Sequence, residues 1–182
     1  EVIWFDGKLV PWDEAKVHVL SHTLHYGGGV FEGLRAYKTP KGPGLVRLRD
    51  HMKRMIDSCR IIGMDLPYDV QTLCDAVIQV VGRNGMEEGY IRPLAFRGYS
   101  QLGVDPTGTP LHVIIATWPL GGYFGEDARE KGIRVGVSSW RRMAPDTHPA
   151  LAKAVGNYLN SQMIKLESRR HGYDDGIALD ID

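Results

Sequence analysis

The chain has 182 residues, 43% of them hydrophobic and 24% charged, a globular composition with length for one ordinary domain or two small ones. Lysine plus arginine balances aspartate plus glutamate at 22 each, so no overall field favours nucleic acid or an anionic membrane, and any anion site has to be local. There is no apolar run of roughly 18 residues, Glu1 to Asp6 does not read as a secretory leader, and Cys59 and Cys74 fall in helix-like segments, so a cytoplasmic chain with buried thiols is expected.

In chain order, Val2 to Phe5 and Lys8 to Trp12 flank Asp6-Gly7, a dipeptide suited to a two-residue hairpin turn because both central positions take positive φ. Leu48, Met52, Met55, Ile56, Cys59 and Ile62 recur at helical offsets, and Gly63 is placed to stop that helix. Asp69 can cap a second helix carrying Leu73, Ala76, Val77, Val80 and Val81, ended by Asn84-Gly85. Gly89 to Tyr99, Leu111 to Trp118 and Ile133 to Trp140 are rich in β-branched and aromatic residues and read as strands. Gly121-Gly122-Tyr123-Phe124-Gly125 reads as a hinge between two units. Tyr158 to His171 returns to helical spacing, with Lys165, Arg169, Arg170 and His171 crowding its end, where cations complement the helix dipole. The mixed order favours α+β over a doubly wound sheet. The start without methionine and the stop within a strand-like Ile177 to Asp182 lead us to expect a fragment.

Lys153 stands out chemically, because it lies in Pro149-Ala-Leu-Ala-Lys-Ala-Val-Gly-Asn-Tyr158 with no other charge between Asp146 and Lys165. Apolar surroundings disfavour an ammonium, and a neutral amine attacks carbonyls, so Lys153 is a candidate Schiff-base lysine; the plainer reading is a stem on apolar surface with its head in water. His18, His22 and His25 imitate metal-ligand spacing, but the glycines from Gly27 onward break any helix carrying them. Packing or loop hydrogen bonding is expected of them, and no metal. The triple glycine lacks the surroundings of a nucleotide motif. Arg54 falls opposite the apolar stripe of its helix, among Arg47, Arg49, Lys53 and Arg60, and reads either as part of a solvated basic face or as a phosphate ligand. Tyr90 and Arg92 share one face of a strand, where a phenol and a guanidinium can take a carboxylate or simply pack together. Tyr158 follows Lys153 closely and reads as a core tyrosine or as a donor to a cofactor oxygen.

Three stretches carry a resemblance. They are Leu24-His25-Tyr26-Gly27-Gly28-Gly29-Val30-Phe31-Glu32-Gly33-Leu34-Arg35-Ala36-Tyr37, then Tyr90-Ile91-Arg92-Pro93, then Ala152-Lys153-Ala154-Val155-Gly156-Asn157-Tyr158. In this order the chain resembles the branched-chain amino-acid aminotransferases of pyridoxal-phosphate fold type IV, the D-amino-acid aminotransferase-like fold. The resemblance implies a small N-terminal α/β domain over 1–124, an interdomain loop over 125–128, and a larger cofactor-binding domain from 129 to 182, without its C-terminal part. It implies that Lys153 holds pyridoxal 5'-phosphate as an internal aldimine and moves protons, that Arg54 contacts the phosphate, and that Tyr158 lies near the phenolic oxygen. Phe31, Tyr90, Arg92 and Tyr123 match substrate-pocket positions, Arg35 is carried over to the same pocket, and Tyr26 matches a residue reaching the neighbouring subunit's site in a homodimer or higher homo-oligomer. The implied reaction is ping-pong transamination of leucine, isoleucine and valine with 2-oxoglutarate. The alternatives are a D-amino-acid or (R)-amine transaminase, aminodeoxychorismate lyase, or an inactive fragment. Two departures bear on it: the family segment supplying an acid to the pyridine nitrogen would follow Asp182, and Leu120 stands where many relatives have a bulky aromatic.

Overall fold

A computed structural model describes residues 1–121 and 128–181, which fall into two units. The first unit comprises Glu1–Leu120 together with Leu151–Val155. Strands β1 (Val2–Phe5) and β2 (Lys8–Pro11) form the expected hairpin, with φ of 46° at Asp6 and 90° at Gly7. A short helix α1 (His22–Tyr26) ends at Gly27, whose φ of 69° is the left-handed stop that glycine reaches without a Cβ penalty. Three short strands follow that the periodicity did not reveal: β3 (Gly29–Phe31), β4 (Leu34–Thr39) and β5 (Gly42–Leu45).

Helix α2 (Leu48–Ile61) and helix α3 (Val70–Arg83) lie where helical spacing put them, and the Asp69 side chain accepts from the Thr72 amide at 2.7 Å as an N-cap. Strands β6 (Gly89–Arg97) and β7 (Leu111–Trp118) are the long central pair. The strand predicted to reach Tyr99 ends earlier, because Gly98 N–H turns to Pro110 O and Tyr99 bridges instead to Ser21.

These strands make one antiparallel sheet in the order β2-β1-β7-β6-β4-β5, with β3 sharing the edge of β6 beyond β4. The two-residue period divides its faces. Leu34, Ala36, Ile91, Ala95, Val113 and Ile115 join Met52, Met55 and Cys59 of α2 and Leu73, Val77 and Val80 of α3 in one buried core. Each large aliphatic removed from water there contributes about 1.5–3 kcal/mol. Phe31, Arg35, Tyr90 and Arg92 alternate with core residues and so belong to the other face. One face is thus committed to packing and the other is left for chemistry.

The second unit comprises Gly121–Ala150 and Gly156–Asp182. It contains α4 (Ala128–Lys131), β8 (Val135–Val137), α5 (Tyr158–Arg170) and β9 (Asp175–Ile177), with β8 and β9 paired in parallel. Strand β8 is shorter than the predicted Ile133 to Trp140 because Glu167 of α5 draws the chain away: it accepts from the Ser138 hydroxyl, the Ser139 amide and the Ser139 hydroxyl. Lys165, one of the cations near the end of α5, donates to Asp174 O at 2.6 Å and lies 3.3 Å from the Asp175 carboxylate. The predicted hinge lies outside the described residues except for Gly121. Among the described residues no helix is long and apolar enough to cross a membrane.

Candidate active site

The site is built around strand β3 and the segment carrying Lys153. Val30 bridges antiparallel to Ala154, and the Phe31 amide donates to Lys153 O at 3.2 Å. On its other side the Lys153 amide donates to Ser58 Oγ of α2 at 3.1 Å, with Ser58 only 1% exposed. Both backbone groups of Lys153 are therefore fastened. Val30 and Ala154 are buried, and the alternation sends Lys153 toward the opposite face, where Nζ stands 4.9 Å from the centre of the Phe31 ring. Lys153 is half-buried, an amine against an aromatic face rather than a lysine on open surface.

Glu32 follows Phe31 and points the other way, toward α2. Its side chain is completely buried, yet its carboxylate has a full set of donors. Arg54 reaches it as a fork, Nε to Oε1 at 2.5 Å and Nη2 to Oε2 at 2.7 Å, while His51 Nδ1 donates at 2.9 Å and the Gly33 amide at 3.2 Å. Burial pushes the carboxyl pKa up, but the Arg54 and His51 hydrogen bonds, the Arg54 charge and the Gly33 amide together bring it below its ordinary 4.5. Arg54, read from sequence as lying on a solvated face or at a phosphate, is 55% exposed while its guanidinium is tied inward to Glu32. The simple solvated-face reading is corrected for this residue.

The pocket face presents a second arginine in different surroundings. The Arg92 guanidinium stands 4.5 Å from the Phe31 ring centre, 5.2 Å from Tyr90 and 5.9 Å from Trp118, and Nη2 donates to the Tyr90 hydroxyl at 3.0 Å. Its Nε is buried without a hydrogen-bond partner, and no carboxylate pairs with Arg92 among the described residues. Arg35 faces Tyr90 across the β4–β6 register and donates from Nη2 to Leu120 O at 2.9 Å. Gly33 leaves room for this cluster, since a Cβ there would overlap the Tyr90 hydroxyl.

The structure thus gathers Phe31, Arg35, Tyr90, Arg92 and Lys153 on one sheet face, with Arg54 fastened behind Phe31 through Glu32. Tyr158 opens α5 in the second unit and is half-buried, and Tyr123 lies outside the described residues. Tyr26 closes α1, 44% exposed. The three histidines take the packing and loop roles expected of them: His18 stacks on Tyr99 with ring centres 4.4 Å apart, His22 Nε2 pairs with Gly103 O at 3.0 Å, and His25 Nε2 with Val19 O at 2.9 Å. Among the described residues no group of three or more metal-ligating side chains comes together. Sequence reasoning gave no role to Glu32, His51 or Ser58. The available signal was a lone carboxylate inside Val30-Phe31-Glu32-Gly33-Leu34, and a serine one helical turn after Arg54.

A primary amine against an aromatic face and a guanidinium tied through Glu32 to the strand that fastens that lysine's backbone form a donor set suited to an aldehyde cofactor that also carries a phosphate. Comparison with known proteins points the same way. The family model for amino-transferase class IV matches residues 29–182. The branched-chain-amino-acid aminotransferase of Escherichia coli (strain K12) is 49% identical over the whole chain, which spans 59% of that enzyme's length. A crystal structure of the Escherichia coli branched-chain amino acid aminotransferase superposes with a TM-score of 0.97 at 49% identity, covering 100% of this chain and 60% of that one. The branched-chain amino acid aminotransferase from Thermobaculum terrenum, in its PLP-bound holo-form, superposes with a TM-score of 0.88 at 28% identity, covering 99% of this chain and 59% of that one. With the family model spanning most of its length, the chain belongs to the class IV amino-transferases.

Proposed function

We propose that this chain carries the amine-transfer site of a branched-chain amino-acid aminotransferase, which moves the amino group of L-leucine, L-isoleucine or L-valine to 2-oxoglutarate by way of pyridoxal 5'-phosphate. The observation that carries the reading is Lys153, fastened by both backbone groups and holding Nζ 4.9 Å from the Phe31 ring centre. Bound pyridoxal phosphate supplies an electron sink for the carbanion left when the substrate α-proton departs.

The chain's own residues do the rest. Lys153 Nζ would hold the cofactor by its aldehyde and, as a free amine, would be the base that takes the proton from the substrate α-carbon. Arg54 would receive the phosphate and Tyr158 the phenolic oxygen. Phe31 and Trp118 give the pocket an apolar wall for a branched side chain, and Arg92 with Tyr90 supplies the cation and hydroxyl for the side-chain carboxylate of glutamate. Arg35, held on Leu120 O, borders that pocket, and Tyr123, outside the described residues, is assigned to substrate binding by the family resemblance alone. The first 2-oxo acid leaves before the second binds, which makes the kinetics ping-pong, with one water consumed in the first half-reaction and one returned in the second.

We read the chain as the family's small domain (1–124) and the start of its cofactor-binding domain (from 129), joined by 125–128, with Leu151–Val155 of the latter belonging to the first compact unit. The enzyme acts as a homodimer or higher homo-oligomer. Around α1, Leu24 is 61% and Tyr26 44% exposed, and Val104 is 82% exposed beside Gly103, whose carbonyl pairs with His22. That is apolar surface for a second copy, with Tyr26 directed to the neighbour's pocket. Cys59 and Cys74, both free and buried, suit the reducing cytoplasm.

The test is the visible spectrum of the full polypeptide with pyridoxal phosphate, followed by leucine and then 2-oxoglutarate. A violet band that bleaches with leucine and returns with 2-oxoglutarate supports the reading. A band that ignores leucine, or one that survives Lys153→Ala, sinks it.

A further inference from the structure

We infer that Glu32 is a positioning residue that aims Arg54 at the cofactor's phosphate, with α2 setting the spacing between that arginine and Lys153. The inference rests on the reading of Lys153 and Arg54 given above. Its evidence is a chain of contacts in one unit. Glu32 sits next to Phe31, whose amide holds Lys153 O, so the strand that places the lysine also places the carboxylate. Glu32 takes the Nε and Nη2 edge of Arg54, which fixes the plane of the guanidinium as a single contact would not. Arg54 and Ser58 lie four residues apart on α2 and so share a face, and Ser58 Oγ receives the Lys153 amide. Arginine and lysine are thus tied to each other at both ends, through Glu32 on β3 and Ser58 on α2.

A completely buried carboxylate is costly unless its donors are all in place, so the geometry around Glu32 tolerates little drift. His51 and the Gly33 amide hold the carboxylate from other directions, leaving Arg54 as the element aligned by it. Charge alone predicts the opposite effect for this residue. A carboxylate near an anion-binding arginine weakens the attraction to phosphate, and removing it would strengthen cofactor binding if Coulomb attraction decided the matter. Positioning predicts weaker binding, confined to the phosphate.

The experiment compares pyridoxal phosphate with pyridoxal, which has the same aldehyde and ring and no phosphate, binding each to the full polypeptide and following the violet band. In Glu32→Gln we expect pyridoxal affinity to stay constant while the preference for pyridoxal phosphate falls about tenfold or more, the scale of a lost charge-assisted fork. In an Arg54→Ala background the same change should add nothing. An unchanged or increased preference in Glu32→Gln overturns the inference, as does an equal loss for both compounds, which marks a general structural role. If Glu32→Gln does not fold, Arg54→Lys decides: it keeps the charge beside Glu32 without the planar fork, so the preference should fall, and its retention overturns the inference. A wild-type chain that binds both compounds equally overturns the assignment of Arg54, and with it the functional reading, whatever Glu32 does.

Discussion

Arg54 and Arg92 belong to the same unit and point to different work. Arg54 is neutralised by a buried carboxylate and locked in plane by two hydrogen bonds, although over half of its side chain is exposed. Arg92 has aromatic faces around it, one hydroxyl for Nη2, and no carboxylate partner among the described residues. A guanidinium whose charge is already matched recognises by direction. One held only by ring quadrupoles and a phenol keeps most of its charge for an incoming anion. A site that must accept an apolar side chain in one half-reaction and a carboxylate in the other has use for the second kind in its pocket and for the first behind its cofactor.

The largest expected effect tests what the two arginines serve. Lys153→Ala should abolish covalent cofactor attachment and transamination while leaving folding intact, because Ser58 and Phe31 hold the backbone at this position rather than the side chain. Absorption spectra and an unchanged melting curve check both halves of that statement. Next in size, Arg92→Leu should cost about 100-fold in kcat/KM for 2-oxoglutarate and far less in the half-reaction with leucine, since it removes the cation and spares the apolar wall. Equal losses in the two half-reactions would remove the distinction drawn between the arginines.

How much of this was legible beforehand follows from the distance in sequence over which each feature is decided. The hairpin at Asp6-Gly7, the stripes of α2 and α3, the Asp69 cap and strand β7 depend on residues close in the chain, and the periodicity shows them. Strands β3 and β5 are short and carry glycine, β3 and β4 pair with the distant β6, and the β4–β5 hairpin turns at Pro40-Lys41 rather than at an Asn-Gly or Asp-Gly pair, so no local pattern marks them. The same holds within the site. Tyr90 and Arg92 are two residues apart on a strand, so their shared face is readable. Glu32 acquires its meaning from His51 and Arg54, 19 and 22 residues away, and Ser58 from Lys153, 95 residues away. Nothing short of the fold brings those groups together.

The Arg54 side of the comparison also has a stability signature. Glu32 has a folded pKa below 4.5, so its ionised form contributes stability that is fully present above the unfolded value and is lost as pH falls through the lower folded one. Urea midpoints taken from neutral pH down through that window should therefore fall faster in wild type than in Glu32→Gln. At neutral pH the variant should be less stable by about 1–3 kcal/mol. Parallel pH curves would mean that the carboxylate does not gain from its donors what the geometry implies.

The smallest effect belongs to the Arg92 side. Gly33→Ala puts a Cβ where the Tyr90 hydroxyl lies, and the cheapest relief is for the far end of that tyrosine to swing away, taking from Arg92 the acceptor of its Nη2 proton. The backbone needs no unusual φ at Gly33, so the melting temperature should scarcely change. A rise in KM below about tenfold for 2-oxoglutarate, with leucine kinetics and phosphate preference unaltered, is the expected pattern, because Tyr90 only orients a cation that remains present. The Glu32 side chain turns away from the Phe31 face, and a change confined to the Tyr90 hydroxyl should leave its fork with Arg54 alone. If Gly33→Ala instead weakens cofactor binding, the two arginines are coupled through Gly33, whose amide is itself a donor to Glu32.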